Sequence, residues 1–111
     1  HDCGSDTFRV FLVNPAGVNP VAVLSKAGSV HNCSPYGATQ YDSQGSMKVS
    51  PDGSTIALSI LPKDIVEILN FDNSTGKVSG PAITSPAIYD QPYGIEFSPD
   101  GTKILTASSF G

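Results

Sequence analysis

Tryptophan is absent, methionine occurs once and cysteine only twice in the 111 residues. Lysine and arginine together number six and are scattered, so no basic stripe exists to follow a phosphate backbone, and nucleic-acid binding is disfavoured. No apolar run reaches the roughly 18 residues of a membrane span. No signal peptide is visible, and the abrupt start at His1 leads us to expect further residues upstream. Catalytic patterns are missing too: there is no Gly-x-Ser-x-Gly elbow, no glycine-rich phosphate loop and no Cys–His nucleophile signature. Charged residues make up only 14%, with a net charge of −4, whereas Ser, Thr, Asn and Gly are plentiful. That balance resembles a secreted β-protein more than a cytosolic enzyme.

What the chain does contain is a repeat. Met47-Lys48-Val49-Ser50-Pro51-Asp52-Gly53-Ser54-Thr55-Ile56-Ala57-Leu58 returns as Ile95-Glu96-Phe97-Ser98-Pro99-Asp100-Gly101-Thr102-Lys103-Ile104-Leu105-Thr106, 48 positions later. Each copy reads as strand, tight turn, strand. Pro presets φ at the first corner, Asp accepts from nearby backbone N–H groups, and Gly takes φ > 0. A period near 48 is about that of a four-stranded propeller blade. A second repeat relates Phe8–Asn14 to Val66–Asp72 at an offset of 58, leaving ten extra residues in the first unit, which we place in 26–45.

Strand and turn signals alternate throughout, with no helical period. With the strands of a blade lettered a to d, the chain reads as all-β. Strands c-d lie in 8–25, a full a-b-c-d blade in 46–84 and strands a-b in 93–108, with a long inserted loop at 26–45. This is a β-propeller fragment of about two four-stranded antiparallel blades: half, full, half. At least four blades close a propeller, so the missing halves belong to the rest of a longer protein or to other copies. The expected core is Val10, Leu12, Val49, Ile56, Leu58, Ile68, Leu69, Phe71, Ile95, Phe97, Ile104 and Leu105. Arg9 and Glu67 occupy one repeat position and are expected on an outer or solvated face. Asp72 to Gly76 has part of a calcium-loop spelling but lacks the closing Glu, and reads as a hairpin loop.

The phrase Tyr93-Gly94-Ile95-Glu96-Phe97-Ser98-Pro99-Asp100-Gly101-Thr102-Lys103, with Asn70 to Gly76 ahead of it, resembles the secreted bacterial WD40-like and lactonase-like (YVTN-type) β-propellers. Such propellers occur in gliding-motility or sorting-domain-associated surface proteins. The likeness covers about residues 8–110. It implies export to the medium or cell surface and a binding or scaffold role. The Gly-His and Trp-Asp pairs of standard WD40 repeats are missing, and nothing matches the acidic, His and Arg set of the lactonases.

Loops of a blade alternate between the two rims. Cys3, before strand c, and Cys33, after strand d, therefore share a rim, where a disulfide is geometrically reasonable and points to an oxidising compartment. The rival readings are two free thiols, or a zinc site with His1 and His31, whose spacing matches no usual ligand motif. The same rim collects a candidate ligand-binding face of His31, Tyr36, Tyr41, Tyr89, Asp90 and Tyr93. Tyrosines supply contact area with a polar tip, suited to glycan or protein recognition, although Tyr36 and Tyr93 are also candidates for packing between blades. No catalytic residue, metal site or cofactor is expected. The sequence reads as a non-enzymatic secreted or cell-surface segment for adhesion, binding or scaffolding. Its partners would be other blades, other copies, or a protein or glycan ligand. The alternative is part of a hydrolytic propeller enzyme whose site is assembled from blades outside this chain.

Overall fold

The computed structural model describes residues 1–33, 42–85 and 90–109. They form ten strands and one 3₁₀ turn, Leu61–Lys63, with no α-helix. The strands are β1 (Ser5–Val10), β2 (Val13–Asn14), β3 (Gly17–Val18), β4 (Val23–His31), β5 (Met47–Val49), β6 (Thr55–Ile60), β7 (Ile65–Asp72), β8 (Lys77–Thr84), β9 (Pro92–Phe97) and β10 (Ile104–Ser108). Strands β5-β6-β7-β8 make one four-stranded antiparallel sheet in sequence order, while β1-β4, β9-β10 and β2-β3 are two-stranded. No sheet closes on itself.

The β1-β4 pair and the β9-β10 pair lie against opposite faces of the four-stranded sheet. Period-two alternation sends neighbouring residues to opposite faces. Ile56, Leu58, Ile60 and Leu69 meet Phe8, Ala27 and Val78 on one side. Ala57 and Val66 meet Ile95 and Phe97 on the other. Strand β6 is consequently buried on both faces, from Ile56 through Ile60. A strand covered on both sides reads as a continuous apolar run, and Ile56-Ala57-Leu58-Ser59-Ile60 is one. Ser59 is accommodated because its hydroxyl donates to the Tyr93 carbonyl at 2.6 Å.

The two Pro-Asp-Gly corners agree bond for bond. In the first, Gly53 N–H donates to Ser50 O (2.9 Å), Thr55 N–H to Ser50 Oγ (3.0 Å) and Ser54 N–H to Asp52 Oδ1 (3.0 Å). In the second, Gly101 N–H donates to Ser98 O (2.8 Å), Lys103 N–H to Ser98 Oγ (3.0 Å) and Thr102 N–H to Asp100 Oδ1 (3.0 Å). Donation by Ser50 and Ser54 holds the Asp52 carboxyl down at about 2, and Ser98 and Thr102 do the same for Asp100. The corners sit side by side on one rim: a Cβ built on Gly101 lies 3.7 Å from Pro51 Cδ. Asp72 to Gly76 is a hairpin loop, with Ser74 N–H and Oγ both donating to Asp72 Oδ1.

Three expectations differ from the structure. The inserted loop does not begin at residue 26. Strand β4 runs on to His31, and the register between Ser5 and Thr7 slips so that 27–30 bulge from the ladder. The extra length is shared between this bulged strand and the connection that follows it. Leu12, Val49 and Leu105 are exposed rather than core, because no sheet covers their faces, whereas Phe8, Ile60, Val66 and Val78 are buried. Finally, Arg9 is exposed, but Glu67 is only 2% exposed.

Glu67 is tolerated inside because the β4 bulge supplies donors. Ser29 N–H reaches Glu67 Oε1 at 3.1 Å and Oε2 at 3.2 Å, and the Ser29 hydroxyl donates to Oε1 as well. The bulge turns at Gly28, with φ of +71°, where a Cβ would lie 2.8 Å from Glu67 Oε2. This contact ties the β1-β4 pair, the first sheet, to the four-stranded second sheet, with β9-β10 as the third. Glu67→Ala is expected to lower the unfolding free energy by about 2–4 kcal/mol, since it strands buried donors and opens a void. Glu67→Gln, which keeps an acceptor oxygen, should cost less. Gly28→Ala should also destabilise, and less than additively in the Glu67→Ala background, where the clashing oxygen is gone. Denaturant titration of the parent and the four variants checks this, and a neutral Glu67→Ala would contradict it.

Candidate functional site

The rim opposite the Pro-Asp-Gly corners carries the candidate site. Here β1 begins, β4 and β6 end, and β5 and β9 begin. Cys3 and Cys33 are joined by a disulfide with their Cα atoms 5.3 Å apart, closing a 30-residue separation. Neither thiol is free, which removes both as zinc ligands. Among the described residues no group of three or more His, Cys, Asp or Glu is placed to hold a metal ion.

Beside the disulfide the rings of His1 and His31 stack, with centroids 3.7 Å apart and planes at 18°. His1 also meets the edge of Phe8 at 4.6 Å. The pair borders a cavity of about 230 Å³ that reaches Asp42, Ser46, Met47 and Ser59. His1 Nδ1 lies 3.0 Å from the Asp2 carbonyl, an atom that only accepts, so Nδ1 carries the proton and neutral His1 presents Nε2 as a lone pair. The Nε2 atoms of both rings are buried with no hydrogen-bond partner among the described residues. With the two ring planes near parallel, lone pairs lying in them do not converge on a common point. The pair is therefore poorly shaped to chelate one metal ion.

Position 42 closes the base of the long connection. Asp42 Oδ2 accepts from Asn32 N–H at 2.8 Å, and Asp42 N–H donates back to Asn32 O at 3.2 Å. Lys63, from the 3₁₀ turn, lies 3.2 Å from Asp42 Oδ2 and donates to Val30 O at 2.7 Å. One half-buried lysine thereby joins Asp42 to the end of β4. Nothing in the sequence analysis singled out Asp42 or Lys63. The usable signal was weak: an isolated charge next to a proline turn after a long apolar strand.

The expected ligand face is brought together only in part. Asp90 and Tyr93 lie on this rim and are exposed. Their backbone carbonyls are engaged, Asp90 O by the Ser108 hydroxyl and Tyr93 O by Ser59, which leaves the side chains outward on a fixed backbone. Gln91 N–H donates to Asp64 Oδ1 at 3.0 Å, anchoring the same stretch to the end of the 3₁₀ turn. His31 is 6% exposed and forms the cavity wall rather than the outer surface. Tyr36, Tyr41 and Tyr89 lie outside the described residues.

No protein-family model, curated protein or solved structure matches this chain. Among the described residues no helix is long and apolar enough to cross a membrane.

Burial lowers the pKa of His31 below its ordinary 6.5, against an opposing pull from Glu67. The unfolded chain binds the proton more readily than the folded one, so stability rises with pH across the interval between the two pKa values. The contribution of neutral His31 is complete above about 6.5 and is lost as pH falls towards the depressed value. His31→Phe should flatten this part of the profile. Denaturation midpoints of both chains at pH 7.5 and pH 5 check it, and parallel losses in the two would contradict it.

Proposed function

We propose that the chain is two blade-equivalents of a β-propeller, half, full and half, and that it acts outside the cytoplasm as a non-enzymatic binding or scaffolding segment. The observation that carries the blade reading is the agreement of faces across the two repeats. Val66 packs towards the third sheet, and its equivalent Phe8 packs towards the second. Ile56 packs towards the first sheet, and its equivalent Ile104 packs towards the second. Each sheet thus meets the next with the same side, as blades in a ring do.

The disulfide supports an oxidising compartment. A binding role is favoured by the division between the two rims. One carries the short, self-bonded corners and the β2-β3 hairpin beside them. The other carries the Asp42–Lys63 ion pair, the exposed Tyr93 and Asp90, and the histidine-walled cavity. Exposed side chains held on a rigid scaffold are where recognition usually resides. Immobilised glycans and extracellular-matrix proteins, probed with the 111-residue chain, test the reading. Binding that drops at least tenfold in Tyr93→Ala and Asp90→Ala, with unchanged denaturation midpoints, is expected. Turnover of a lactone or ester by the chain would contradict it.

A further inference from the structure

We infer that two copies of this chain join head to tail, with β10 of one copy hydrogen-bonding β1 of the next, so that two half-sheets become one four-stranded sheet. The inference rests on the blade reading above and adds a partner and a register to it. Within the described residues β1 pairs only with β4 and β10 only with β9, so each keeps one edge open, apart from Thr7 O on β1, which accepts from Asp2 N–H at 2.8 Å. An open edge is a template for another strand.

The repeats specify which residues meet. In the complete sheet β6 pairs with β7 through Ile56↔Leu69, Ala57↔Ile68, Leu58↔Glu67 and Ser59↔Val66. Moving β6 to β10 by 48 positions and β7 to β1 by 58 gives Ile104↔Phe11, Leu105↔Val10, Thr106↔Arg9 and Ala107↔Phe8. Every one of these pairs keeps both members on the same face.

A second, independent pattern agrees. Several exposed large apolar side chains occupy positions whose repeat equivalents are buried. Met47 and Val49 are 44% and 47% exposed, but their equivalents Ile95 and Phe97 are 5% and 8%. Phe11 is 46% exposed against 1% for Leu69, and Leu105 is 66% against 0% for Ala57. By the same equivalences Met47 and Val49 lack a β9-β10 pair before them, Phe11 lacks a four-stranded sheet before it, and Leu105 lacks one after it. Seating β9-β10 of one copy beside β1 of another lays Leu105 over Met47 and Val49 of that second copy. It also brings the second copy's β1-β4 pair over an apolar groove of about 160 Å³ lined by Val66, Ile68, Ile83 and Ile104. A second copy satisfies both the edges and the faces with one motion. Such a contact is heterologous, so it closes into a ring or grows as a filament. At two blades per copy, about two to four copies would close.

Sedimentation and disulfide trapping test it. The chain should sediment at no less than twice its 11.5 kDa. Leu105→Lys, at an exposed position, should return it to the monomer mass. Mixing Thr106→Cys with Arg9→Cys should yield a reducible cross-linked dimer, whereas Ala107→Cys with Arg9→Cys, slipped by one residue, should not. A monomer at every concentration, or equal trapping of both pairs, would overturn the inference. Amide exchange separates the causes. Protected amides at 56–60 in a monomer mean that only the self-association fails, and unprotected ones mean that the blade reading fails with it.

Discussion

Burial of β6 on both faces is the constraint from which the remaining architecture follows. A strand that exposes neither side must have a sheet above and a sheet below, so one repeat alone cannot be stable. Each fully buried aliphatic side chain contributes about 1.5–3 kcal/mol, and Ile56, Leu58 and Ile60 place theirs against the first sheet. Ala57 is small because the third sheet approaches closely there, through Ile95 and Phe97. Ser59 is polar because its hydroxyl reaches the Tyr93 carbonyl across that second interface.

The polar pins are of two kinds. Glu67 with Ser29 lies inside the first interface and trades the cost of a buried carboxyl group for a defined position of the β4 bulge. Asp42 with Lys63 lies at the rim and holds the mouth of the long connection. Both act on the segment that departs from the repeat, where apolar packing alone specifies position least. The first interface therefore carries the irregular, site-forming features, and the second joins apolar contact to the Ser59–Tyr93 and Gln91–Asp64 hydrogen bonds. The histidine stack, the disulfide and the cavity all gather at the edge of the irregular one.

Much of the strand order was legible in the sequence. The Pro-Asp-Gly corners marked two hairpins, and the alternation of Val66 to Phe71 marked the third strand of the complete sheet. Turn chemistry is local and so can be read locally. The course of β4 was not legible, because Ser25 to Val30 has the composition of a loop, and what makes it a strand is pairing with Phe8 and cover by β8. Glu67 was misplaced for a similar reason: a charge in an apolar run reads as solvated unless its donor is visible, and Ser29 lies 38 residues away. Leu105 and Val49 have core-like patterns but lack a covering sheet in this chain. Of the candidate site, the cysteine pair followed from loop alternation. The stacking of His1 on His31 depends on where two strand ends converge, which spacing does not encode.

Nuclear Overhauser contacts from the methyl groups of β6 test the two-faced burial most directly. The account predicts contacts from Leu58 methyls to the Phe8 ring, together with contacts from the Ala57 methyl to Ile95 and Phe97. Contacts on one face alone, with Ala57 seeing only solvent, would contradict it.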